Sequence, residues 1–147
     1  MQTVLFVTCA LLLLSIAIVD ARIGMIPDFL NVPFFLFALL YGCFFGSSVV
    51  LPVLIGGGFF AIQWLLSQGK WVGSGDIILA AGIGAFVGDV LLLVIALGVA
   101  YALGSVAAVV LLVRKQKTIE QRMVFGPFLA AGALVSFVGG ERILEYF

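Results

Sequence analysis

The sequence predicts an all-α integral membrane protein: one bundle of about six transmembrane helices, a single domain over residues 1–147, with both termini outside. Two observations on composition and one on charge placement predict it. Hydrophobic residues make up 65% of the chain and charged residues only 10%, against roughly 25% in a soluble domain. Mean hydropathy is +1.37. The few charges are grouped so that uncharged runs remain over 1–19, 29–69, 77–88, 90–113 and 123–140.

A helical crossing takes about 20 residues, so the run 1–19 supplies the first span. It begins MQTVLFVTCALLLL, without a basic leading region or a small-residue cleavage pattern, and reads as a retained span rather than a signal peptide. The run 29–69 holds the second and third, with Phe45-Gly46-Ser47-Ser48 followed by Pro52 marking the turn between them. The run 77–88 is short for a crossing, and fits either a tilted span in a thinned bilayer or a re-entrant segment. Charge placement decides. If it crosses, Arg22, Lys70, Arg114, Lys115, Lys117 and Arg122 all fall on one side, which the positive-inside rule assigns to the cytoplasm. If it does not, that bias is lost. The runs 90–113 and 123–140 then supply the fifth and sixth spans, with Asp89, Glu141 and Glu145 on the outer side.

Seven basic and seven acidic residues cancel, so no global field attracts nucleic acid. Cys9 and Cys43 lie in apolar runs without a CxxC pair and read as small core residues. With no histidine and no cysteine cluster, neither a zinc site nor a Ser/His/Asp triad can be assembled, and no metal or cofactor is expected. Chemistry falls to carboxylates, hydroxyls, lysine and arginine.

Asp20 closes the first span and Asp76 opens the fourth, so six spans bring both carboxylates to the same cytoplasmic edge. Two close carboxylates cannot both ionise cheaply and share a proton. The ionised one can take a proton from water while the protonated one hydrogen-bonds a peptide carbonyl, which is the equipment of an aspartic protease. In Gly73-Ser74-Gly75-Asp76 the two glycines permit close approach of an extended peptide. The bland reading stands beside it, since an aspartate at a helix start is favoured as a cap and by the macrodipole.

Three segments in order resemble the type IV prepilin peptidases and their preflagellin relatives. "VDARIGMIPDFLNVP" is similar to the family's first-aspartate segment, "GSGDIILAAGIGAFVG" to its Gly-x-Gly-Asp segment, and "VFGPFLAAGAL" to the Phe-Gly-Pro-Phe segment that opens its last span. The resemblance implies a membrane aspartic endopeptidase of the cytoplasmic membrane that removes the basic leader of prepilin-like proteins at the cytoplasmic face. It maps the catalytic aspartates onto Asp20 and Asp76. The departures are Ile78, where many members carry lysine, and the absence of an N-terminal CxxC-containing region, which predicts a peptidase without N-methyltransferase activity. The chain also has only the short loop Arg114 to Arg122 for gripping a substrate. The gamma-secretase class shares Gly-x-Gly-Asp but carries Tyr-Asp and Pro-Ala-Leu motifs that this chain lacks.

Several neighbours of the aspartates are candidates for shaping the substrate path. Arg22 serves as a substrate contact or, preferably, a topological anchor. Pro27-Asp28 positions Asp20 or, preferably, Asp28 caps the second span with Pro33 in or near its first turn, and Asn31 bonds the same loop. Gly126 and Pro127 give the last span a kinked start beside the site or an ordinary helix opening. Asp89 reads as a helix-end residue on the opposite face. Trp64 and Trp71 read as interface residues, and Gly82, Gly84, Gly88, Gly98 and Gly104 as close-packing positions. The rival functions are a small ion- or proton-coupled transporter and a catalytically silent pilus-assembly protein. A transporter calls for acids at mid-depth rather than at the edge.

Overall fold

A computed structural model describes residues 1–45, 48–115 and 123–146. Six α-helices follow one another: α1 (Gln2–Ile23), α2 (Asp28–Phe45), α3 (Val50–Ser67), α4 (Ser74–Val87), α5 (Val90–Val113) and α6 (Gly126–Leu144). Among the described residues there is no strand. The helices occupy the uncharged runs because ionised side chains and loop backbone belong at the polar ends of a bundle. Gly46 and Ser47 of the expected turn, and Lys117 and Arg122 of the basic connection, lie outside the described residues.

The exterior is apolar. Leu11, Ile18, Leu36, Leu54, Ile62, Val94 and Val106 all point outward, and only 22–28% of each long span is buried within the protein. In water such a surface would aggregate, whereas lipid tails accommodate it, so this is an integral membrane protein. Helices α1, α2, α3 and α5 are each long and apolar enough to cross a membrane. Helix α4 and the apolar part of α6, Gly126–Gly140, are shorter.

The short helix is the hub of the bundle. With 14 residues α4 is about 21 Å long, against roughly 30 Å of hydrocarbon. It packs on α2, α3, α5 and α6, and from Leu79 onward nearly every residue is buried. Its last turn ends at Gly88 in the left-handed conformation, φ 63°. The Gly88 carbonyl accepts a hydrogen bond from the Ser48 amide at 3.3 Å, so α4 runs from the end of the bundle holding Asp76 to the end holding the α2–α3 connection. Being wrapped by protein, α4 meets lipid through few of its own groups, which relaxes the length requirement.

Close packing around α4 depends on small residues. A Cβ at Gly84 would collide with the Pro52 carbonyl, and one at Gly132 of α6 with the Ala96 carbonyl of α5. Gly82 and Gly104 make room for Phe34 and Phe125, but Gly98 faces open space, so the expected packing role fails there. Asp89 caps α5, its Oδ1 accepting from the amides of Leu91 and Leu92 at 2.8 and 3.2 Å, at the end opposite Asp76.

Candidate active site

Helix α1 ends because Gly24 adopts φ 74°, and its amide closes the last turn on the Asp20 carbonyl at 2.7 Å. Asp20 therefore stands in the final turn, where the macrodipole disfavours a carboxylate. It is nonetheless 96% buried, at 4% exposure. Compensation comes from elsewhere in the chain. Asp20 Oδ2 accepts a hydrogen bond from the Gly126 amide at 2.8 Å, across 106 residues of sequence. Gly126 opens α6, so the positive end of one helix faces a carboxylate placed at the negative end of another. A Cβ at position 126 would run into that same Oδ2, which restricts the position to glycine.

Beyond Gly24 the chain turns through Met25, Ile26 and Pro27 into α2. The amides of Leu30 and Asn31 both bond the Pro27 carbonyl at 3.1 Å, so Pro27 occupies the cap position. Asp28 is the first helical residue rather than the cap expected from sequence, because the proline carbonyl already serves as the first acceptor. Pro33 lies further in, past the first turn. Asn31 is fully buried, and its Nδ2 donates to the Gly75 carbonyl at 2.8 Å, tying the start of α2 to the start of α4.

Gly73 caps α4 in an extended conformation, and its amide donates to Asp76 Oδ2 at 2.8 Å, while the Asp76 amide returns to the Gly73 carbonyl at 3.1 Å. The carboxylate thus occupies the third position of its own helix, where the macrodipole favours it. A Cβ at Gly75 would come within 2.9 Å of Ile26 Cβ, so glycine lets the α1–α2 turn lie against this loop.

These pieces enclose a cavity of about 530 Å³ whose walls include both Asp20 and Asp76. Gly73, Gly75, Pro27 and Asp28 also line it. Asn31 and Gly126 stand behind the wall and hold it through their hydrogen bonds. Arg22 is exposed in the last turn of α1 and lies outside the lining. Pro127 is partly buried in the first turn of α6 and likewise outside the lining, as is Ile78. Sequence reasoning missed Gly24, Ile26, Met123 and Phe125, all of which form part of the wall. Only Gly24 carried a usable signal, a glycine just past a helical last turn containing arginine.

The type IV leader peptidase family model matches residues 6–138, from the first turns of α1 nearly to the end of α6. The chain belongs to that family. Among curated relatives, the Prepilin leader peptidase/N-methyltransferase of Burkholderia pseudomallei (strain 1026b) is 34% identical over 92% of this chain and 46% of its own length. The Leader peptidase HopD of Escherichia coli is 31% identical over 85% of this chain and 84% of its own length. The chain thus spans about half of the Burkholderia protein and most of the Escherichia one. No solved structure gives a significant match. Within this family member, the matched region holds every residue that lines the cavity.

Proposed function

We propose that the chain is an aspartic endopeptidase of the cytoplasmic membrane that cleaves the leader peptides of type IV prepilin-like proteins, its cavity facing the cytoplasm. One observation carries the reading: two buried aspartates from different helices share a single cavity in a member of the leader peptidase family. In the proposed reaction one carboxylate takes a proton from a water molecule, and the other, protonated, hydrogen-bonds the scissile carbonyl. Water adds to the carbonyl carbon, and the proton held by the pair passes to the leaving amine as the C–N bond breaks. The pair titrates as a unit, with neither residue a fixed acid or base.

The supporting groups have assigned parts in this reading. The Gly126 and Gly73 amides orient Asp20 and Asp76, while Gly75 lets the α1–α2 turn close against the start of α4 and so shapes the wall of the cavity. Asp28 lies at the mouth of the cavity, where it meets the basic leader. Arg22 serves as the anchor of α1 on the cytoplasmic side. Family membership favours hydrolysis over ion transport, and nothing in the site favours a silent scaffold.

The test is cleavage of a prepilin-type substrate in detergent or liposomes by the wild type, Asp20→Asn and Asp76→Asn, with the new N-terminus read by mass spectrometry. A cut just before the substrate's apolar segment, lost in both variants, is the expected result. Full cleavage by either variant removes that residue from the mechanism. No cut by folded wild type across several prepilins overturns the reading.

A further inference from the structure

The contacts between α5 and α6 fix how deep the aspartate cavity lies. At one end of the bundle Ser136 Oγ of α6 donates to the Leu92 carbonyl of α5 at 2.6 Å, so the end of α6 and the start of α5 are flush. At the other end a Cβ on Gly104 would meet Phe125 Cε2 at 2.8 Å, and the residue after Phe125 is Gly126, whose amide holds Asp20. Asp20 therefore stands close to the level of Gly104, and α5 continues past that level to Val113, about 13 Å further on.

This extension of α5 is apolar. Val106, Val109, Val110, Leu112 and Val113 are exposed, and the Ser105 hydroxyl is bonded back to the Tyr101 carbonyl at 2.7 Å. Hydrocarbon surrounds such turns, and Arg114 and Lys115, both exposed, mark where it gives way to headgroups. A helix of 24 residues is about 36 Å long and tilts to fit roughly 30 Å of hydrocarbon. With that tilt Asp20 lies about 10 Å beneath the boundary.

The α1–α2 turn at the rim of the cavity stays beneath it too. Ile23 is only about 5 Å further along α1 than Asp20, and the chain re-enters the bundle in α2 from Asp28. Its side chains match that depth. Ile23, Met25 and Phe29 line the aspartate cavity and are nonetheless 65% to 74% exposed. Phe29 heads a stripe with Val32, Leu36 and Leu40, spaced three and four residues apart along α2, and every member faces outward. On α1 the outward stripe Leu11, Leu14 and Ile18 leads to Arg22, whose long stem lets the guanidinium reach the headgroups from below. The rim is thus continuous with the lipid-facing surface of both helices.

We propose that the α1–α2 turn is an interfacial lip: Ile23, Met25 and Phe29 rest among the upper acyl chains of one leaflet, and the aspartate cavity opens sideways at the headgroup boundary. The partner is the lipid of that leaflet. Asp28 and Ser74, also exposed in the lining, form the wet side of the same mouth and give water its path to the aspartates. The consequence for cleavage rests on the peptidase reading. A substrate whose apolar segment already lies in the bilayer reaches the aspartates by moving within the leaflet, without lifting its scissile bond clear of the membrane.

A tryptophan placed on the lip tests its depth. In a protein carrying Trp64→Phe and Trp71→Phe, Phe29→Trp is reconstituted into phosphatidylcholine vesicles whose acyl chains bear bromine near the headgroup or at mid-chain. It is expected to lose fluorescence most to the shallow bromine and little to aqueous acrylamide. Leu36→Trp, about 10 Å deeper on the same stripe, is the reference and is expected to lose most to the mid-chain bromine. Met25→Trp repeats the measurement if Phe29→Trp does not fold. Quenching by acrylamide alone places the lip in water, and shielding from both quenchers places it against protein, a second copy of the chain included. Either result overturns the proposal.

Cleavage tests the lateral route. Met25→Gln combined with Phe29→Gln is expected to lower, by about tenfold, the ratio of kcat/KM on a vesicle-inserted substrate to that on a truncated peptide without the apolar segment. An unchanged ratio overturns the route. The quenching needs no cleavage, so wild type that cuts no prepilin overturns the peptidase reading while the fluorescence alone decides the lip.

Discussion

Asp20 and Asp76 reach one cavity by opposite means. Asp76 stands in the first turn of its own helix, bonded to an amide three residues away, where the backbone dipoles favour a carboxylate. Asp20 stands in the last turn of α1, where they disfavour it, and is held by an amide 106 residues on. Local physics accounts for Asp76 with no function at all. It does not account for Asp20. A buried carboxylate at the unfavourable end of its helix, stabilised by a distant one, is therefore the stronger sign of a site, although the Gly-x-Gly-Asp motif around Asp76 is the more conspicuous stretch.

The largest expected effect falls on both sides of this comparison alike. Asp20→Asn and Asp76→Asn each keep a side-chain acceptor for the neighbouring amide, so the fold should persist while cleavage falls by about 10²–10⁴-fold or more. Thermal unfolding measured beside the cleavage assay checks both halves of that statement.

Gly126→Ala should separate the two residues. Its methyl group would displace Asp20 and leave the Asp76 cap untouched. We expect a loss of about 10²-fold in kcat, the scale of an ångström's misplacement of a reacting group. Gly98→Ala, whose Cβ meets nothing within 4 Å, is the matched control and should leave kcat unchanged.

Asn31→Ala attacks the Asp76 side less directly, by cutting the hydrogen bond that ties the start of α2 to the Gly75 carbonyl. It should cost about 0.5–1.5 kcal/mol of stability and roughly tenfold in activity, read from unfolding midpoints and initial rates. Asp89→Ala has the smallest functional effect. It removes an N-cap at the far end of the bundle, so stability should fall by about 0.5–2 kcal/mol with cleavage unaltered. A loss of activity there would show that the two ends of α4 communicate.

Most of the helical frame was legible because charges are expensive in hydrocarbon, and their positions, with the turn residues that divide the run 29–69, delimit the stretches that fold as helices. The short run 77–88 was the ambiguous element, and its sequence does not say that four neighbours wrap it. The cap of α2 was misplaced by one residue because Asp28 has the better capping side chain, whereas a backbone carbonyl, that of Pro27, does the work. Gly126 was recognised within Phe-Gly-Pro-Phe but not as the partner of Asp20, since a backbone amide leaves no mark on residue identity. Met123 and Phe125 passed as ordinary apolar residues for the same kind of reason: a place in the wall of a cavity is a property of packing.

By itself the sequence determined that the chain is helical, lies in a membrane and carries two aspartates at the ends of apolar runs. Those properties follow from composition, spacing and the cost of burying charge. Only the tertiary structure decided that α4 forms the hub, that α6 brings its N-terminus to the unfavourable end of α1, and that both carboxylates line one cavity. The reason is physical. Backbone donors, helix-end dipoles and the space beside a glycine acquire a direction only when helices distant in sequence are packed together.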